Sequence, residues 1–295
     1  MDFFLQQLIS ATALGGTYAL LALGLAIVFS IVGLINFAHG ELMTITAYGV
    51  VLGTGMGLPF PAAAALGIGC AMLTAVLLER IAFRPVRKAS AATLLVTSFA
   101  AAMILQTLFQ NFISQRPLPV ALPVALTHTL DFGGFVVGVN QVLAIAIAAA
   151  TMLALNLFLK RSLLGLSMRA IAQDFGATRL MGVRADAVVS GAFAVSGLLA
   201  GIAALLWVSQ RASVDPYMGF VPVLKAFIAA IIGGLGSLTG AVVGGLVLGF
   251  IEIFLAAYLP DSWQAFREPL GLGLVIAILV ARPRGLLPAP NADKV

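Results

Sequence analysis

Eight or nine stretches of this chain are nearly free of charge and follow one another, separated by polar loops. A helix needs about 20 mostly apolar residues to cross the hydrocarbon core of a bilayer. The apolar runs lie near 8–35, 42–56, 61–78, 92–112, 141–159, 188–208, 221–232, 241–259 and 269–280. Of 295 residues, 61% are apolar and 9% charged, whereas about 25% of an ordinary soluble domain is charged. A water-soluble fold of this length still needs a polar skin, and lipid removes that requirement. The expected fold is therefore all-α: a polytopic transmembrane helical bundle of eight or nine spans, occupying 1–287, followed by a short tail at 288–295. Gly15, Gly16, Gly24, Gly191, Gly197, Gly201, Gly244, Gly245 and Gly249 fall inside the runs. Small residues let membrane helices approach closely, so a tightly packed bundle is expected.

Basic residues orient such a bundle. Arg80, Arg84, Arg87 and Lys88 lie in the loop 79–90, Lys160, Arg161, Arg169, Arg179 and Arg184 in 160–187, and Arg282, Arg284 and Lys294 in the C-terminal tail. These regions hold 12 of the 16 basic residues, which places them and the C-terminus in the cytoplasm. The loop 114–140, with Arg116, and the turns near Arg211 and Arg267 are then external. Nine crossings put the N-terminus outside, in keeping with Asp2 and no nearby Lys or Arg. Eight, with 36–41 as an intramembrane break, put it inside. The N-terminus lacks the basic region and cleavage site of a signal peptide, so the first span is expected to be retained. The net charge of +5 does not imply nucleic acid, because the bases sit in loops between spans. One cysteine, Cys70, excludes an intramolecular disulfide and reads as a packing residue. The loop 114–140 is too small for a catalytic domain but large enough to cap the bundle.

Four segments carry polar chemistry. The run Asn36-Phe37-Ala38-His39-Gly40-Glu41 brings an amide, an imidazole and a carboxylate together between apolar spans. It reads either as a short solvated turn or as a helix break lining the pathway or gate, since ionisable groups at membrane depth face a bundle interior or aqueous cavity. One His and one Glu are too few for a closed metal site. The segment 162–187 contains one or two short helices with Met168, Ile171, Ala172 and Phe175 on one face and Arg169, Gln173 and Asp174 on the others. Such a helix either lies on the membrane surface or docks a soluble partner. The stretch 233–240, GGLGSLTG, lacks the Lys of a phosphate-cradling loop and reads as a tight hairpin or re-entrant break. The run 231–240 weakly echoes the run 31–40, and paired breaks in two halves point to a transport site. Finally, Lys225 and Glu252 are lone charges in or near adjacent spans. Lys225 either snorkels to the interface or pairs with Glu252.

The runs GLINFAHGELM (33–43), FRPVR (83–87), LGLSMRAIAQD with the following GV (164–183), GGLGSLTGAVVGG (233–245) and RPRGLL (282–287) resemble the permeases of branched-chain amino-acid ABC transporters, in particular the smaller of the paired permease subunits. The similarity covers essentially the whole chain. It implies a bacterial inner-membrane permease subunit that dimerises with a second, related permease. It further implies two cytoplasmic ATPase subunits, which bind ATP and Mg, and a periplasmic substrate-binding protein. This chain itself would bind no cofactor and catalyse no reaction. Arg169, Ala170, Gln173, Asp174 and Gly182 match the family's ATPase-coupling segment, and Asn36, His39 and Glu41 match its NFAHGE run. With Glu252, these last three are the candidates for the translocation path or gate. The substrate is expected to be a branched-chain amino acid, with urea, short amides and other amino or aromatic acids as alternatives. A different class, an ion-coupled secondary transporter, would use His39, Glu41, Lys225 and Glu252 as its ion path. An intramembrane enzyme finds no nucleophile–base pair in the spans.

Overall fold

The computed structural model describes residues 2–131, 133 and 136–288. Of the expected tail, only Pro288 is among them, and Lys294 lies outside the described residues. The helices are α1 (Asp2–Val32), α2 (His39–Gly55), α3 (Phe60–Leu78), α4 (Arg84–Val86), α5 (Ala91–Phe112), α6 (Val124–Thr127), α7 (Val139–Arg161), α8 (Leu163–Gln173), α9 (Phe175–Leu180), α10 (Ala185–Arg211), α11 (Phe220–Gly233), α12 (Leu238–Tyr258) and α13 (Arg267–Ala281). One π-helical turn, Glu79–Phe83, joins α3 to α4, so most of the expected loop 79–90 is helical. Four short strands lie in the connections: β1 (Leu118–Pro119), β2 (Thr129–Asp131), β3 (Val136–Gly138) and β4 (Ser213–Val214), pairing antiparallel as β1–β4 and β2–β3.

Among the described residues, seven helical stretches are long and apolar enough to cross a membrane: Asp2–Val32, Phe60–Val86, Ala91–Phe112, Val139–Arg161, Ala185–Arg211, Leu238–Tyr258 and Asp261–Ala281. The protein is a multi-pass membrane helical bundle. Helices α2 and α11 are shorter. At 17 and 14 residues they span about 25 and 21 Å, less than the roughly 30 Å of hydrocarbon. Their starts abut, Gly40 against Gly219, so closely that a Cβ on Gly40 would lie 2.9 Å from the Gly219 carbonyl carbon.

The bundle has two chemically distinct ends. At one, α3–α4, α7–α8, the start of α10 and the 233–240 hairpin come together with most of the arginines. There Arg84 meets Asp186 at 2.5 Å, and the segment after α13 folds back, Leu286 N–H donating to Ile232 C=O and Leu287 N–H to Gly233 C=O. At the other end, Gln141 Nε2 donates to Ser10 Oγ, Asn140 to the Ser209 carbonyl, and Phe3 packs edge-on against Tyr258. The 114–140 connection covers part of this second end, burying Val120 and Val137.

Helix α1 is the axis. It is apolar all round, as a fully surrounded helix should be, and residues 15–28 are buried without a break. Gly33, at φ 69°, ends the α1 run in a left-handed conformation that favours glycine. Against α1 lie small residues. A Cβ on Gly15 would sit 2.9 Å from Leu246 Cα, and one on Gly16 3.0 Å from Ala148 Cβ. Association in lipid has no hydrophobic drive and depends on such close approach. Cys70, expected in the packing, is instead exposed on α3, because the buried face of that helix is Ala63, Ala64, Gly67, Ala71 and Ala75.

Replacing Gly245 tests this packing. Its Cβ would lie 2.8 Å from Ala19 Cβ, with the Ala19 backbone closer still. Gly245→Leu should destabilise purified protein by about 1–3 kcal/mol, seen as a lowered midpoint of thermal unfolding in detergent. Gly69→Leu, at a position with nothing within 4 Å, should leave the midpoint nearly unchanged. Equal effects would refute the packing role of Gly245.

Candidate functional site

The two lone span charges do meet. Lys225 Nζ donates to Glu252 Oε1 at 2.6 Å, and Tyr18 Oη donates to Glu252 Oε2 at 2.8 Å. Glu268 Oε1 lies 3.7 Å from Lys225. Lys225 therefore does not simply snorkel. Its ammonium is held by a carboxylate of the neighbouring helix, and each side chain of the pair is 20% exposed. Removing two charges from water is expensive, and a close, doubly hydrogen-bonded geometry offsets that cost. The pair borders a cleft of about 260 Å³ between α11, α12 and α13. Leu224, Ile228, Ile251, Leu255 and Leu272 form apolar walls, and Arg267 and Glu268 stand at the start of α13. The cleft thus offers a cation and a carboxylate beside an aliphatic surface. It lies toward the end opposite the arginine-rich one, since Glu252 is in the last two turns of α12.

The run 36–41 is a buried break, not a solvated turn. Asn36, His39 and Glu41 are all essentially inaccessible. His39 Nδ1 and Ser196 Oγ of α10 are 3.0 Å apart, and the ring occupies the space that a side chain at Gly24 would fill. Gln106 of α5 donates to Glu41 Oε1 at 2.7 Å. Phe37 stacks on Phe99 and meets Phe227 edge-on, linking α5 and α11. Several buried polar atoms nevertheless make no well-formed hydrogen bond among the described residues: both side-chain polar atoms of Asn36, His39 Nε2, Glu41 Oε2, Thr44 Oγ1 and Tyr48 Oη, with the Leu21 backbone close to His39 and the Thr44 hydroxyl close to Glu41. All belong to the stretch 36–48. Unpaired buried polar groups are rare and costly in a stable packing. The structure does not bring this stretch to Glu252, whose partners are Tyr18 and Lys225.

At the arginine-rich end, Ser162 caps α8 and Asp174 both ends α8 and caps α9, its Oδ1 accepting from Ala177 N–H at 2.9 Å. The expected apolar face of this segment is shifted. Gly165, Met168 and Ile171 are buried, while Ala172 and Phe175 are exposed. Glycine at 165 lets α8 lie directly on the end of α7, where a Cβ would sit 2.6 Å from the Phe158 carbonyl oxygen. The bundle itself covers the buried face. What projects outward is Leu163, Leu166, Phe175, Leu180 and Met181, together with Arg169, Gln173 and Arg179. Ala170 is partly covered. Gly182, at φ 85°, turns the chain from α9 into α10.

Sequence reasoning missed Glu79. It is fully buried in the π turn, accepts from Ser190 Oγ at 2.6 Å, and pairs with Arg87. Arg87 also reaches Asp186 at 2.9 Å, and Asp186 binds Arg84. This chain of ion pairs ties α3–α4 to the start of α10, immediately after the exposed α8–α9 segment. The one signal was an acidic residue beside a run of arginines. Among the described residues no group of three or more His, Cys, Asp or Glu is placed to hold a metal.

A multi-pass bundle with a charged interhelical cleft toward one end and a short exposed helical segment at the other has the build of a membrane transport component, and the comparisons with known proteins agree. The chain belongs to the family described as the branched-chain amino acid transport system permease component, whose model matches residues 7–282. It is a non-catalytic transport subunit. It is 35% identical to the high-affinity branched-chain amino acid transport system permease protein BraD of Pseudomonas aeruginosa and 33% identical to LivH of Escherichia coli, in each case covering 99% of this chain and 98% of the relative. The permease protein LivM of Escherichia coli is 26% identical, over 92% of this chain and 68% of its own length. The fold is shared with a chain in the structure of PsaBC from Streptococcus pneumoniae in complex with Fab, at a TM-score of 0.50 and 14% identity over 96% of this chain and 93% of that one.

The ion pair makes a sharp prediction. Lys225→Met alone strands Glu252 and should cost about 2–3 kcal/mol, whereas Lys225→Met with Glu252→Leu should recover most of that loss. A double-mutant cycle on thermal unfolding should show coupling of at least about 1 kcal/mol. Additive effects would mean that the pair does not form.

Proposed function

We propose that this chain is the smaller permease subunit of an ATP-driven importer of branched-chain amino acids in a bacterial inner membrane. The observation that carries the substrate reading is near end-to-end similarity to two permeases described as high-affinity branched-chain amino acid transporters. The cleft between α11, α12 and α13 supports it independently. A branched-chain amino acid is a zwitterion with an aliphatic side chain, and the cleft pairs opposite charges with aliphatic walls. Small-molecule sites have this form, apolar with a few convergent polar groups. Glu252 then belongs to the translocation path. Urea and short amides, which lack the two charges, fit it less well.

Asn36, His39 and Glu41 act in this reading as the gate. Their unpaired polar atoms favour a second packing in which α2 shifts from α5 and α10 and water reaches them. The two short helices α2 and α11 complete nine crossings, because the chain alternates between the two ends of the bundle. The arginine-rich end faces the cytoplasm by its excess of Lys and Arg. The N-terminus then lies outside and the C-terminus inside. A second permease like LivM completes the pore, a periplasmic binding protein delivers substrate, and two ATPases bind ATP and Mg. The coupling segment docks an ATPase through Arg169, Gln173 and Arg179 and the apolar side chains exposed around them. Ala170 packs beneath them, Asp174 caps α9, and Gly182 turns the segment back into the bundle.

Arg169→Glu with Gln173→Ala, in the complex reconstituted with its partners, should lower ATP-driven leucine uptake at least tenfold while thermal unfolding of the permease stays unchanged. Asp174→Asn should retain the α9 cap and most of the uptake, whereas Asp174→Ala costs about 1 kcal/mol of helix stability. Normal uptake in the Arg169/Gln173 variant would overturn the docking assignment. Unlabelled valine and isoleucine should compete with labelled leucine, and acetamide and urea should not. The reverse pattern would overturn the substrate.

A further inference from the structure

A second cavity, distinct from the charged cleft, lies between α7, α12 and α1 at the arginine-rich end. It measures about 490 Å³ and is lined by Leu23, Met152, Leu155, Val242 and Val243, with Asn156, Lys160 and Thr239 among its remaining lining residues. Its origin is a change of residue size along the packed faces. On α7, Ala144 and Ala148 face the bundle toward one end, and Met152, Leu155 and Leu159 toward the other. On α12, Gly245 and Gly249 press on α1, and the bulkier Val242 and Leu238 follow toward the arginine-rich end. The helices therefore meet α1 closely where these residues are small and part where they are large.

The polar groups of this groove are graded in depth. Lys160 is in the last turn of α7, Thr239 in the first turn of α12, and Asn156 lies one turn deeper, roughly 6 Å along the helix. No Asp or Glu lines the groove. Among the described residues Lys160 has no carboxylate within ion-pair distance, and the exposed Asn156 amide has no hydrogen-bond partner. An exposed amide inside an otherwise apolar helix is costly in hydrocarbon.

We propose that this groove holds an anionic glycerophospholipid. The phosphate accepts from Lys160 Nζ and the Thr239 hydroxyl, and an acyl ester carbonyl, which lies deeper than the phosphate, accepts from the Asn156 amide. One acyl chain runs along Met152, Leu155, Val242 and Val243 to Leu23. Charge complementarity selects the anionic class, since among the described residues Lys160 is the one charged residue lining the groove, no carboxylate lines it, and Lys or Arg near the membrane surface attracts acidic headgroups. The leaflet rests on the orientation proposed above, but the test below does not.

The complex of this chain with its permease and ATPase partners would be purified from membranes and exposed to mixed vesicles of phosphatidylglycerol and phosphatidylcholine with matched chains, then analysed by native mass spectrometry. Phosphatidylglycerol should be retained at least tenfold over phosphatidylcholine. Lys160→Gln should cut that retention at least fivefold and Asn156→Leu measurably, while Arg161→Gln, just beyond the groove, leaves it unchanged. Inorganic phosphate at millimolar concentration should not displace the lipid, which excludes a simple phosphate site. Equal retention of both lipids, or loss equal for Lys160→Gln and Arg161→Gln, would overturn the proposal. So would a photo-crosslinker at Asn156 that joins this groove to a partner subunit instead of lipid.

Discussion

Backbone-to-backbone approach at glycine holds this bundle together. In water, burying the large apolar faces of these helices would itself drive association. In lipid that drive vanishes, and dispersion at short range must replace it. The contacts of Gly15 with α12, Gly40 with Gly219, and Gly245 and Gly249 with α1 are of this kind. They set the spacing of α1, α2, α11 and α12, and the remaining features follow. The charged cleft exists because α11 and α12 are clamped together below it, where a Cβ on Gly244 would meet the Gly233 amide nitrogen at 2.8 Å. The lipid groove exists because the small residues of α7 and α12 give way to larger ones.

Within this apolar frame, the carboxylates near the core are met to different degrees. Glu252 is satisfied by Lys225 and Tyr18. Glu79 is satisfied by Arg87 and Ser190. Glu41 is satisfied at one oxygen by Gln106, while the other has only the Thr44 hydroxyl nearby and makes no well-formed hydrogen bond. The first two are closed networks that fix helices relative to one another. The third is half-closed, as is His39, and the Asn36, Thr44 and Tyr48 side chains beside them make no well-formed hydrogen bond. Movement is most economical where polar groups gain by it, which is why the start of α2 is the part proposed above to move. The Glu79–Arg87–Asp186–Arg84 chain ties α3–α4 to the start of α10, next to the exposed α8–α9 segment.

Much of this was legible in the sequence, for reasons that differ by residue. The apolar runs became helices because length and the absence of charge leave no other solution in lipid. Lys225 and Glu252 stood out because single charges in apolar spans demand partners, and adjacency of the two spans supplied one. Glu79 did not stand out, because its partners are Ser190, far along the chain, and an arginine that looked like part of a solvated loop. The α8 face was shifted because periodicity finds an apolar stripe but not which part a neighbouring helix end will cover. Cys70 was assigned to the core for a related reason. In a membrane bundle the outer face is as apolar as the inner one, so hydropathy does not separate them, and alanine and glycine mark the buried side of α3 instead. The run 36–41 reads in the sequence either as a solvated turn or as a deep break, and its burial and unpaired atoms emerge only from the three-dimensional packing.

In the reading proposed above, this chain moves branched-chain amino acids only as part of an ATP-driven complex. The most direct measurement is leucine uptake into proteoliposomes containing either this chain alone or the chain with its second permease, ATPases and binding protein. Uptake by the full complex should require ATP hydrolysis, and the chain alone should show none under an imposed proton or sodium gradient. Leucine accumulation by the isolated chain along such a gradient, without ATPase subunits, would contradict that reading.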